Sequence, residues 1–211
     1  MSTNQTNLTD IVGKLKKQDS LLAIVIDQIG PCPLKRGTQG LTALVHTIVG
    51  QQLSRSSAQA IRLRLDALLG NNGIDPKLLA ETCDEDLRKT GLSLMKISYL
   101  RGLTDQVLTG RINFHRFESM DDEAIIETLS QVKGIGRWTA EMYLIFSLNR
   151  LDVFPIGDLA IRTAMTHIYH LSKSDFDTQA RNVADRWRPF RTIACWYLYR
   201  YLDNLKISKV N

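Results

Sequence analysis

The sequence predicts an all-α protein of two helical subdomains, and three observations carry that prediction. Apolar residues recur with helical period through almost every segment, capping and stopping residues stand at segment ends, and no stretch alternates apolar and polar residues between hairpin turns. The longest irregular stretches, "GPCPLKRGTQG" (30–40) and "NRLDVFPIGD" (149–158), both hold Gly and Pro. They mark crossings between subdomains, one of residues 1–31 plus 149–211 and the other of residues 32–148. At 211 residues the chain is long enough for two such bodies.

Each element has its own signal. "LTALVHTIVGQQL" (41–53) spaces Leu41, Leu44, Val45 and Ile48 at i, i+3, i+4 and i+7, the pattern of a one-sided helix. "SRSSAQAIRLRLDALLG" opens with Ser54 as N-cap and stops at Gly70. "DPKLLAETC" has Asp then Pro at its first turn, and "DEDLRKTG" has an Asp cap and a terminal glycine. Further helices are expected at 94–109, 121–131, 137–148, 158–170, 174–187 and 189–204.

Composition narrows the function classes. Hydrophobic residues at 44% and charged residues at 23% exclude a disordered chain. Lys plus Arg number 27 against 22 Asp plus Glu, a net +5 that favours an anionic partner. Cys32, Cys83 and Cys195 are dispersed, which suits a reducing interior and no metal knuckle. His46, His115, His167 and His170 lack metal-ligand spacing. No apolar run approaches the roughly 20 residues of a membrane span. The polar start "MSTNQTNLTD" does not read as a secretory signal, so an intracellular protein is expected.

The most informative stretch is "QVKGIGRWTAEMYL" (131–144), between two helical segments. Gly134 and Gly136 permit positive φ and close backbone approach, Ile135 can point into the core, and Ala140 lets two helices cross closely. Backbone N–H groups of such a turn, with the following helix N-terminus, suit a phosphate. Lys133 and Arg137 add positive charge on either side. Two glycines also serve an ordinary helix connection; the apolar spacing and the basic pair favour nucleic acid.

With "LVHTIVGQQLS", "GLSLMKISYL", "DVFPIGDLAI" and "WRPFRTIACWYLYR", this stretch resembles, in order over residues 41–204, the helix-hairpin-helix (HhH-GPD) DNA glycosylases, in their AlkA-like 3-methyladenine branch. The resemblance implies an active site in the cleft between two all-α subdomains, in the compact form without the β domain that some members carry. It implies a glycosylase that excises alkylated purines (3-methyladenine, 7-methylguanine type) from double-stranded DNA in base excision repair. A monomer acting on DNA in bacterial cytoplasm or eukaryotic nucleus is expected, without a membrane. A non-catalytic helix-hairpin-helix DNA-binding module and a glycosylase for other damaged bases are the alternatives.

By the same resemblance Asp158, 22 residues past Gly136, is the catalytic carboxylate, a role compatible with an N-cap. Asp152 and Glu141 are the competing carboxylates. Trp138 stands where related bifunctional enzymes carry a nucleophilic lysine, which implies water as nucleophile and no lyase step. Its indole would stack on a cationic base; a core tryptophan closing the hairpin is the plainer reading. Tyr199, Met142 and Leu159 match other base-pocket positions, with fewer aromatic rings than the branch's usual pattern. In "GQQLS", Gln52 aligns with the residue inserted into DNA, beside Leu53 and Ser54, although paired glutamines also suit a solvated helix end. The carbonyls of Ser130, Val132 and Ile135 match a structural Na+ or K+ site. No other cofactor is implied, and three dispersed cysteines exclude the four-cysteine iron-sulfur cluster of some relatives.

Overall fold

Five α-helices among the described residues begin where a short polar side chain satisfies free N–H groups of the first turn. The computed structural model describes residues 8–70 and 72–208, so most of the N-terminal stretch read against a secretory signal lies outside the described residues. Among the described residues there are twelve α-helices and no strand. They are α1 Leu8–Gln18, α2 Ser20–Ile29, α3 Gly40–Gly50, α4 Arg55–Leu69, α5 Pro76–Glu81 and α6 Asp84–Lys89. After them come α7 Leu94–Leu108, α8 Asp122–Ser130, α9 Arg137–Phe146, α10 Leu159–Tyr169, α11 Phe176–Asp185 and α12 Arg191–Ser208. Asp19, Ser54, Asp75, Ser93 and Asp158 are N-caps whose side chains accept amide N–H bonds.

Several ends differ from the sequence expectation. The helix expected over 41–53 stops at Gly50, because Gln51 is extended (φ −57°, ψ 129°) and Gln52 is left-handed (φ 56°). The cap of "DEDLRKTG" is Cys83, which makes no side-chain capping bond, and Asp84 is the first helical residue. The segments expected at 174–187 and 189–204 form Phe176–Asp185 and Arg191–Ser208. A 3-10 segment, Phe114–Ser119, had no distinct periodic signal; Phe114 and Phe117 pack against each other and against Tyr143 of α9.

The chain forms two compact units, one of the described residues up to Lys35 and from Arg150 onward, the other of Arg36–Asn149. The first division lies beyond residue 31 because Cys32 is buried in the first unit's core and Leu34 packs against it. Arg36 instead binds the Ser147 carbonyl (3.2 Å) and Glu118 of the second unit.

The first unit joins α1 and α2 to α10, α11 and α12 around Leu15, Leu22, Ile26, Met165, Trp187 and Leu198. Asp19, 3% exposed, lies at its centre. One oxygen accepts the Leu21 and Leu22 N–H groups, and the other accepts from Tyr169 Oη and Trp187 Nε1, each at 3.0 Å. A buried carboxylate so satisfied links three chain segments that are distant in sequence. The second unit packs α3 against α4, α7 and α9, and joins α8 to α9 through the glycine hairpin. Its core includes Leu44, Ile48, Leu65, Leu100, Leu129 and Leu144.

Candidate active site and nucleic-acid interface

The hairpin at 131–136 is closed by its own backbone. Val132 N–H donates to Leu129 O (3.1 Å) and Ile135 N–H to Val132 O (2.9 Å), while the Val132 and Ile135 side chains are buried. Ile135 therefore supports the turn from inside, and its amide is committed within it. The Gly134, Gly136 and Arg137 amides make no hydrogen bond among the described residues. The two glycines have different causes. Gly134 has φ +90°, and a Cβ there would lie 2.2 Å from Tyr99 Cδ2, so the ring of α7 occupies the space of a side chain. Gly136 has φ −91°, and a Cβ there would meet nothing within 4 Å. The expected positive φ holds for Gly134 and not for Gly136.

Lys133 is exposed and makes no ion pair among the described residues. Arg137 is engaged: its guanidinium donates to both carboxylate oxygens of Glu123 (3.0 and 2.5 Å) and, through Nε, to Glu141 (3.2 Å). These bonds raise the arginine's pKa, and the arginine holds the Glu123 carboxyl below its ordinary value. Net positive charge beside the glycines is smaller than the two basic residues alone suggest.

The 51–54 loop turns beside this hairpin. Gln51 Nε2 donates to Gly134 O (2.9 Å) and Thr139 Oγ1 (3.2 Å). Lys96 Nζ, in α7, donates to Val49 O (2.6 Å) and Gln51 O (2.9 Å), at the C-terminal end of α3 where carbonyls lack helical partners. Burial lowers the Lys96 pKa. Gln52 and Leu53 are exposed, and Ser54 caps α4 through the Ser57 N–H. Sequence reading passed over Gln51, Lys96 and Tyr99; the adjacency of Gln51 to Gln52 was the only local signal for them.

Trp138 and Met142 lie four residues apart on one face of α9. From Thr139 to Ile145 that helix is buried, whereas Trp138 is 41% exposed, which departs from a tryptophan closed into the core. Met142 is 8% exposed.

In the first unit, Asp158 caps α10: one carboxylate oxygen accepts from Ala160 N (2.8 Å) and Ile161 N (3.0 Å). The approach is a tight turn in which Asp158 N–H donates to Pro155 O (2.9 Å). The residue is 6% exposed, so its carboxylate is fixed and largely shielded. The rivals are occupied otherwise. Asp152 receives Arg191 (2.7 and 3.0 Å) and Arg188 (2.8 Å), and Glu141 receives Arg137. Leu159, the first residue of α10, is 80% exposed, and Tyr199 of α12 is half-buried. Among the described residues no group of three His, Cys, Asp or Glu side chains could hold a metal, and no helix is long and apolar enough to cross a membrane.

The chain is similar to known proteins. Residues 45–189 match the model of the HhH-GPD superfamily base excision DNA repair proteins. DNA-3-methyladenine glycosylase 1 of Schizosaccharomyces pombe is 36% identical over 159 residues, 74% of this chain and 70% of that protein. The alkylbase DNA glycosidase-like protein mag2 of the same yeast is 29% identical across 88% of this chain and 90% of its own. The crystal structure of a DNA-3-methyladenine glycosidase from Bacillus halodurans superposes with TM-score 0.80 at 36% identity, covering 95% of this chain and 90% of that one. The S. pombe enzyme in complex with abasic DNA superposes with TM-score 0.81 at 32% identity, over 90% and 95%.

Proposed function

We infer, for a chain that belongs to the HhH-GPD superfamily of base excision DNA repair proteins, that it hydrolyses the N-glycosidic bond of alkylated purines in duplex DNA and leaves an abasic site. The observation that carries this reading is Asp158, a shielded carboxylate aimed by two amide N–H groups while its rivals are held by guanidinium groups. The names of the two yeast relatives support it: one is a DNA-3-methyladenine glycosylase and the other an alkylbase DNA glycosidase-like protein.

The chemistry follows from charge. As the bond from sugar C1′ to the base nitrogen breaks, its electron pair leaves with the base and positive charge develops on the sugar. Asp158 stabilises that charge, and water attacks C1′ while giving its proton to the carboxylate. A base alkylated at N3 or N7 is already cationic and leaves neutral, so no strong general acid is needed. Trp138 offers an exposed π face to such a cation, a contact of roughly 0.5 to 2 kcal/mol. Met142 of the second unit and Leu159 and Tyr199 of the first are further residues proposed to contact the base. An indole has no amine with which to form a Schiff base, so the enzyme is monofunctional.

Duplex DNA is held by phosphate contacts at Lys133, Gly134, Gly136 and Arg137, with Ile135 supporting the turn. Gln52, flanked by Leu53 and Ser54, fills the gap left by the extruded base and offers hydrogen bonds to the orphaned partner. The Ser130, Val132 and Ile135 carbonyls would hold a Na+ or K+ ion; they are hard oxygens at the turn, and among the described residues Val132 O accepts one hydrogen bond, from Ile135. Such an ion supplies positive charge beside a phosphate.

The test incubates the protein and Asp158→Asn with methylated duplex DNA and measures released bases and alkali-labile sites. Asn keeps the cap, so the variant stays folded while release falls by about a hundredfold or more. Equal release by the variant removes Asp158 from the mechanism, and no release by the wild type from several alkylated substrates overturns the activity. Strand cleavage without alkali, or an adduct trapped by borohydride, overturns the monofunctional reading.

A further inference from the structure

Two loops with separate tasks share one support in the second unit. Lys96 and Tyr99 lie three residues apart on α7, hence on one face of that helix. Lys96 grips the Val49 carbonyl at the end of α3 and the Gln51 carbonyl of the loop that carries Gln52, while the Tyr99 ring fills the space over Gly134 of the hairpin. Gln51 closes the circuit from the other side, since its backbone is held by Lys96 and its side-chain amide holds Gly134 O and Thr139 Oγ1. Gln52 follows at once in a left-handed conformation, so its position depends on that of Gln51.

We propose that Lys96, Tyr99 and Gln51 are positioning residues that form a bracket between the hairpin and the 51–54 loop, setting the distance between the bound phosphate and Gln52. The bracket acts on base extrusion, and not on the first capture of undamaged duplex or on the chemistry at Asp158. Lys96 spends its charge on two carbonyls at a helix end, and Gln51 has one donor group shared between two acceptors on the hairpin side. Neither residue is offered as touching DNA. This inference rests on the reading of Gln52 as the inserted residue.

The experiment compares wild type, Gln51→Met, Lys96→Met, Lys96→Arg and Gln52→Ala. For each, single-turnover base release is measured from a lesion in an ordinary pair and from the same lesion in an unpaired bubble. Fluorescence of 2-aminopurine beside the lesion reports extrusion, undamaged-duplex affinity reports capture, and thermal midpoints report folding.

Gln51→Met and Lys96→Met should slow release from the paired lesion about tenfold and leave the unpaired lesion and undamaged-duplex affinity within about twofold. Lys96→Arg, which can still donate to both carbonyls, should recover most of the paired-lesion rate. An equal loss on both substrates that follows the thermal midpoint overturns the bracket as a positioning device. An effect of Gln52→Ala with none of Gln51→Met or Lys96→Met overturns the bracket and leaves the wedge standing. Effects of Gln51→Met and Lys96→Met with none of Gln52→Ala overturn both, because those residues would then act on the hairpin alone.

Discussion

Arg137 shows how a charge read from sequence can be offset by its neighbours. Glu123 binds its guanidinium through two bonds and Glu141 through a third, so its charge is largely balanced within the chain. The Arg137–Glu123 pair is exposed and contributes little to stability, at most about 1 kcal/mol. Its consequence is for binding. Glu123→Gln should tighten binding to undamaged duplex at low salt and steepen the dependence of log affinity on log salt by about one charge. A salt titration by fluorescence anisotropy checks this; an unchanged slope would mean that Arg137 faces no phosphate. At this scale the N-cap at Asp158 was legible because a short local motif carries it. Gln51 and Lys96 were not, since their partners lie 83 and 45 residues away and no local pattern encodes such a hydrogen bond.

Among elements, the hairpin separates two glycines that the sequence presents as equivalents. Gly134→Ala forces a Cβ into the Tyr99 ring at a backbone angle that disfavours side chains, and should cost about 2 to 4 kcal/mol. Gly136→Ala meets open space at an ordinary φ, so it should leave stability within about 0.5 kcal/mol and weaken only DNA affinity. Denaturant unfolding beside duplex titration distinguishes the pair. The same contrast explains which elements the sequence disclosed. Helix α7 appears where helical period predicts it, because that signal is local. Helix α3 stops at Gly50 because Gln51 is extended and Gln52 left-handed, and Lys96 from another helix takes the Val49 and Gln51 carbonyls at that end, a contact with no local signal. The 3-10 segment depends on Phe114, Phe117 and Tyr143 meeting, a tertiary event with no period of its own.

At the scale of the whole molecule, each unit buries a phenol that must stay neutral. Tyr197 of the first unit donates to Gly30 O (3.0 Å), and burial pushes its pKa up to about 12. Burial, and then Asp19, raise Tyr169 further, and burial raises Tyr143 in the second unit. A phenol whose pKa is higher when folded adds stability that is complete below its unfolded value near 10 and is lost as pH rises through the folded value. Thermal midpoints should therefore fall from about pH 10 to pH 12, with a shallower fall in Tyr197→Phe; absorbance at 295 nm follows the ionisation. The first unit also closes only when the two ends of the chain meet, since α1 and α2 pack with helices that lie beyond Arg150. On the ribosome this sets an order of events. Residues 36–149 can complete their own core as they emerge, whereas the apolar faces of α1 and α2 wait roughly ten to thirty seconds for α12 at ordinary rates of synthesis. During synthesis α1 and α2 are thus the elements most exposed to aggregation and to chaperones.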